Sequence, residues 1–347
     1  MKKYFFVFAL ACYSLEMNAQ NNQDKEPYST KSLAKESIKN VQVKTSGGSI
    51  SVSGGNSSEA RIEMYVQQNN YKSNPMTKEE IQKRLDEDYD MSIEVSNNKL
   101  TAIAKQKHDI WDWKKSLNIS FKVFVGENVS TDLSTSGGSI SLLKLSGTQD
   151  FSTSGGSLHV DDVTGKINGK TSGGSIHISN SKDDIDVRTS GGSITAEKCS
   201  GKMKLYTSGG SLRLADLKGN IDANTSGGSI EGRNIDGELV SHTSGGSIHL
   251  NDLAGSLDAS TSGGHIDVAI TTLGKYVKIH NSGGNVELQI PKNAAVDLDL
   301  SASRVKTDAL NNFSGTKEDD EIKGKLNAGG IPVTVRSSSG SIHLSLK

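Results

Sequence analysis

The sequence predicts an all-β chain wound into a β-solenoid of 18-residue coils, with a small α+β cap before the regular part. Three observations predict it. The tetrapeptide Thr-Ser-Gly-Gly begins at Thr135, Thr153, Thr171, Thr189, Thr207, Thr225, Thr243 and Thr261, and the spacing is 18 residues every time. Between the tetrapeptides apolar and polar residues alternate, the period-two pattern of strands with one face inward. The composition is the third sign. A chain of 347 residues with 37 glycines and only 5% aromatics is short of large apolar side chains for a compact globule. A repeat chain does not need them, because each unit buries only a thin slice of core against its neighbours.

Taken in order, residues 1–19 read as a secretory signal: Lys2 and Lys3 precede an apolar run over 4–10, and Ala19 stands before Gln20 as the cleavage position. The apolar run is too short to span a bilayer. Lipidation at Cys12 is the rival reading, weakened by the Ala that stands three places before the cysteine. Residues 20–40 are polar and aperiodic and read as a flexible leader. Residues 41–130 read as N-terminal strands and cap. Within them Thr77 and Glu80 form a capping box that opens a short helix, and Ile81 and Leu85 mark its apolar face. A hairpin over 92–104, turned at Asn97-Asn98, follows, and then a strand over 119–125 leads into the first regular coil.

Residues 131–347 read as the solenoid and its closing strands. In the repeat that starts at Thr207, Leu212 and Leu214 form one alternating pair and Ile221 and Ala223 a second, separated by Leu217 and Gly219. Stacking the repeats produces ladders of like residues, one from Ile140 to Ile266 through Leu158, Ile176, Ile194, Leu212, Ile230 and Ile248. Another runs from Leu145 through Val163, Ser181 and Cys199 to Leu253, which places Cys199 as a small buried residue. The glycines are expected to supply positive φ at the corners. The Thr and Ser hydroxyls of each tetrapeptide are expected to satisfy backbone groups left free there. A related NSGG at Asn281 follows two residues late, an isolated TSGG stands early at Thr45, and SSSGSI at 337–342 closes the series. Residues 311–325 are charged and read as a loop.

These segments resemble the bacterial "putative adhesin" β-strand-repeat family, a family of unknown function. The likeness is carried by Ile119, Phe121, Val123 and Val125 leading to Asp132-Leu133-Ser134-Thr135-Ser136-Gly137-Gly138-Ser139-Ile140, by the SGGSI coils, and by Leu288-Gln289-Ile290-Pro291 with Ser338-Ser339-Gly340-Ser341-Ile342. The resemblance implies a right-handed single-stranded β-helix, exported to the periplasm, the cell envelope or the medium. It carries no catalytic residues to transfer.

The chemistry that composition allows is narrow. A formal charge of -1 with no basic cluster argues against nucleic acid. No hydrophobic segment beyond the leader predicts a membrane span. Neither G-x-S-x-G nor a phosphate loop is present, and the glycines are not followed by the Gly-x-Asp of calcium-binding rolls. Catalytic, cofactor and metal residues are therefore none by expectation. The outward row Ser141, His159, His177, Thr195, Arg213, Glu231, His249, Asp267 is where a partner would meet the rod. His159 and His177, with Asp161 nearby, read as solvated imidazoles or as part of a metal site. Trp111 and Trp113 either seal the cap or form an aromatic platform for a sugar or protein. The acidic run Asp161, Asp162, Asp183, Asp184 and Asp186 raises the analogy of polysaccharide-cleaving β-helices, as a lyase or hydrolase alternative. The favoured reading is a non-enzymatic scaffold that presents repeated polar rows to an envelope protein or glycan.

Overall fold

The computed structural model describes residues 26–69, 76–107 and 116–347. The signal segment, Cys12, Trp111 and Trp113 lie outside the described residues. Within them the chain is all-β and solenoid-like, with one α-helix, Lys78–Asp88.

The backbone ladder is parallel and follows the sequence period. Leu158–Thr171 lies on Ile140–Thr153, with Leu158 opposite Ile140 and Thr171 opposite Thr153. Its other edge carries Ile176–Ser179 and Lys182–Thr189, with His159 opposite His177 and Ile167 opposite Ile185. The same offset of 18 continues up to Ile248 opposite Ile266. Above Leu250 the register shifts and Val277 faces Leu257, which absorbs the two extra residues before Asn281.

The early TSGG has a structural explanation. Asn40–Thr45 pairs in parallel with Ser130–Thr135, and Ile50–Gly55 pairs with Ile140–Thr153, Ile50 facing Ile140. One lap is thus laid down first, and 56–129 is inserted before the next lap is stacked on it. The inserted part supplies the layer beneath, where Lys99–Gln106 and Leu117–Gly126 pair in parallel with that first lap. Below them pairing turns antiparallel, through Arg61–Gln68 and Tyr89–Ser96. The helix runs directly into Tyr89–Ser96. Thr77 accepts from the Glu80 backbone N–H while the Glu80 side chain accepts from that of Thr77, the capping box read in the sequence. Asn97 and Asn98 take φ of 50° and 60°, as a two-residue hairpin turn demands.

Three expectations need correction. Residues 29–40 are not a loose leader: Ser29–Ser32 pairs antiparallel with Arg61–Gln68, and Leu33 and Ile38 are buried. The reason it escapes pattern reading is that STKS exposes all four side chains and is held by backbone alone. Residues 311–325 are not a loop: Phe313–Lys317 and Glu321–Leu326 form an antiparallel hairpin added to Val296–Ser301. On that face the top of the stack ends, like the bottom, in antiparallel strands bearing charge, while the other face ends in the short parallel strand Arg304–Thr307; both blunt an edge that would otherwise recruit other chains.

The third correction concerns the glycines. Those of TSGG do not adopt positive φ. Positive φ is found where glycine stands between the two strand pairs of a lap, as expected: in the laps from Thr135 to Thr243 the left-handed residues sit at that opposite corner, as in Asp216 (φ 56°) and Gly219 (φ 123°). What TSGG needs its second glycine for is close stacking. A Cβ on Gly210 would lie 2.1 Å from the carbonyl oxygen of Gly192 one lap below. The threonine does the polar work. Thr207 is fully buried, donates its hydroxyl to Gly192 O at 2.7 Å and accepts from the Gly210 N–H at 3.3 Å. The serine after the glycines makes its own ladder: Ser193 Oγ accepts from the Ser211 N–H at 3.1 Å. Asn281 performs the threonine's task at the enlarged lap, donating to Gly264 O and accepting from the Gly283 and Gly284 N–H groups.

The inward ladders are buried throughout the described laps. Where one lap is small its neighbour fills the space: Phe151 occupies the room over Gly169, and Leu250 that beside Gly232. Cys199 is buried and free, and burial pushes its thiol pKa up.

Candidate functional site

Everything that could meet a partner along the sides of this stack is an outward column fixed by the ladder. Two columns share the face carried by the first strand of each lap. One passes from Lys122 through Ser51, Ser141, His159, His177, Thr195, Arg213, Glu231, His249, Asp267, Glu287 and His343 to Lys306, each the register partner of the next. None of these residues is buried. Hydrogen bonding holds their backbones about 4.8 Å apart, so the row is a ruler of polar groups.

His159 and His177 are brought side by side, as the period requires. Asp161 does not join them as a ligand: its carboxylate accepts from Asn180 Nδ2 at 2.7 Å and Ser179 Oγ at 2.8 Å. Those two hydrogen bonds hold its pKa below the usual carboxylate range. Among the described residues no group of three or more His, Cys, Asp or Glu side chains is placed to hold a metal. The remaining acidic residues are spread over different faces. Asp183 adopts φ 83° at the corner, and Asp186 is gripped by the Arg188 fork at 2.8 and 3.0 Å. Arg188 holds the Asp186 pKa down.

The second column, two residues further along each strand, contains what the sequence reading missed. It runs Glu197, Ala215, Arg233, Asn251 by register. Ala215 is the short member between long ones. Above it the surface sinks into an open depression of about 500 Å³, rimmed by Glu197, Arg213, Glu231, Arg233, His249 and Asn251. Arg213 is paired with Glu231 at 3.5 Å, and His249 stands 4.0 Å from Asp267. Both pairs are solvated and worth little to stability. Glu197 and Arg233, two laps apart, have no ion-pair partner among the described residues. No pattern in the letters marks it: Ala215 is one small residue in a column that is charged at Glu197 and Arg233 and neutral at Asn251. On the face carried by the second strand, Tyr206 is 42% exposed, between Arg188 and Asn224. A single exposed aromatic is ordinary on a protein surface.

Comparison with known proteins finds a family model to which part of the chain is similar. Residues 237–345, the last regular laps and the closing strands, match the family model described as Toastrack DUF4097. The match supports the adhesin-like β-strand-repeat family of unknown function that the coil motifs indicate. No curated protein matches the chain. Among solved structures, one described as "a putative cell adhesion protein" from Clostridium sporogenes is 12% identical and aligns over 92% of this chain and 98% of that one. Its TM-score is 0.22, too low for any conclusion about fold or function to rest on it. No helix among the described residues is long and apolar enough to cross a membrane.

Proposed function

We propose that the chain is a non-enzymatic, exported scaffold: a right-handed single-stranded β-helix of 18-residue coils whose outward rows are displayed to an extended partner in the cell envelope, protein or glycan. In this reading residues 1–19 are removed on export, 41–130 cap one end, and 131–347 form the rod and its closure. The observation that carries the reading is the unbroken polar row from Lys122 to Lys306. Each of its members sits on a strand, none on a mobile loop, so the spacing between displayed groups is set by backbone hydrogen bonds. A rigid display surface binds an extended polymer with little ordering cost on its own side. Weak contacts repeated along such a polymer add by effective concentration.

The test is retention of envelope glycan and envelope protein on the immobilised chain. Variants exchange the outward residues of one, two or three laps to serine, and Trp111→Ala with Trp113→Ala forms a separate arm. The display reading expects stepwise loss as more laps are altered. Loss of all retention from one lap, with turnover of a polysaccharide, would instead identify a catalytic site. Loss confined to the tryptophan arm would assign binding to an aromatic platform.

A further inference from the structure

We propose that the depression over Ala215 is a subsite for an acidic saccharide unit, a hexuronate-type sugar within an extended polymer. The proposal rests on the display reading and names the partner's chemistry.

Charge and shape lead to it together. Arg233 projects from the upper rim as a guanidinium without an ion-pair partner among the described residues, and Arg213 beside it is only loosely engaged by Glu231 at 3.5 Å. A guanidinium fork is matched to a carboxylate by two parallel hydrogen bonds. Glu197 at the lower rim, two laps from Arg233, can only accept when ionised, which suits hydroxyl groups. Asn251 and His249 add donors and acceptors above. The floor is made by Ala215, only 6% exposed, with Leu214 and Gly232 beside it, a narrow apolar strip that one edge of a pyranose ring can meet. One carboxylate, several hydroxyls and an apolar ring face make up the chemistry of a uronic acid residue.

A peptide fits less well. Ile194–Glu197, Leu212–Thr225 and Ile230–Thr243 are paired on both sides by the neighbouring laps, so their backbones have no free edge for strand addition. Recognition here must come through side chains alone. Neighbouring laps repeat at about 4.8 Å, so the rim from Glu197 to Asn251, three laps on, is long enough for two or three units of an extended polymer, with the carboxylate of one at Arg233 and hydroxyls of its neighbours at Glu197 and Asn251.

Titration calorimetry of the purified chain with trigalacturonate and with its methyl ester tests this. The ester keeps shape and hydroxyls and removes the charge. The acid should bind, and the ester should bind about tenfold more weakly or worse, the loss expected for a charge-assisted bidentate contact. Arg233→Ala and Ala215→Gln should each weaken the acid by roughly tenfold, one by removing the fork and the other by filling the floor. Arg188→Ala, on the other face, should leave binding unchanged. Binding of the ester as tightly as the acid, or undiminished binding by Arg233→Ala, overturns the proposal. So does failure of trigalacturonate to bind. In that last case, if altered laps still weaken retention of the envelope polymer, the ligand class is wrong and the display reading stands. If the polymer is not retained either, both fall.

Discussion

Thr207 shows why one tetrapeptide recurs. Its hydroxyl is buried and bridges two laps, giving to Gly192 O and taking from the Gly210 N–H. Thr207→Val keeps the shape and strands both backbone groups. The expected cost is about 1–3 kcal/mol in urea unfolding, the penalty for buried polar groups left unpaired. The two glycines beside it should behave differently. Gly209→Ala meets its nearest atoms at 3.5 Å and should be nearly silent, whereas Gly210→Ala would press on Gly192 O at 2.1 Å and should destabilise strongly or prevent folding. That contrast was not legible in the letters. Sequence reasoning finds a corner at Gly-Gly, but steric approach between laps is a property of the stack. The threonine was legible, because its position falls in phase with inward residues. Acid sensitivity also resides in single residues. Arg188 depresses the folded pKa of Asp186, so their pairing contributes stability above the unfolded carboxylate pKa and loses it as pH falls through the lowered folded value. Asp186→Asn should therefore lower the urea midpoint near neutrality and flatten its fall below about pH 4, so that the two proteins converge in acid.

At the scale of elements, complementary packing between laps replaces the single large core of a globule. Phe151 fills the space that Gly169 leaves on the lap above; a Cβ at residue 169 would lie 2.6 Å from the ring. Phe151→Ala should cost about 3–5 kcal/mol. Adding Gly169→Val should recover part of that loss, although Gly169→Val alone should destabilise. A double-mutant cycle in denaturant measures the coupling, and additivity would show that the two laps do not share this space. The elements legible in the sequence were those with strong local chemistry. The capping box at Thr77 and the Asn97-Asn98 turn were both identified from a few residues. The hairpin of Phe313–Lys317 and Glu321–Leu326 was missed because its charged residues mask the alternation and its partners are antiparallel, outside the 18-residue period. Ser29–Ser32 was missed because a strand with no buried side chain leaves no pattern at all.

For the molecule as a whole, each regular lap pairs with the lap above and the lap below, with a rare longer reach such as the Tyr276 hydroxyl to Glu238 two laps down, so stability should be nearly a sum over laps. Deleting residues 208–225 joins one TSGG to the next and removes one complete repeat. The chain should still fold and unfold in a single transition at a similar midpoint. Deleting nine residues from the same region puts inward and outward positions out of step and should abolish the fold. The outward rows were legible before the structure, since a fixed period fixes which residues are neighbours. The depression over Ala215 was not, because it depends on a column that alternation alone does not single out. The account as a whole requires laps that lie flush and rows that run straight. Spin-label distances on the outward row test this most directly, using Ser141→Cys paired with Glu231→Cys and with Asp267→Cys, while buried Cys199 stays unlabelled. The account predicts narrow distributions, with the second separation longer than the first by two laps, about 10 Å. Broad distributions, or separations that do not grow with the number of laps, would contradict it.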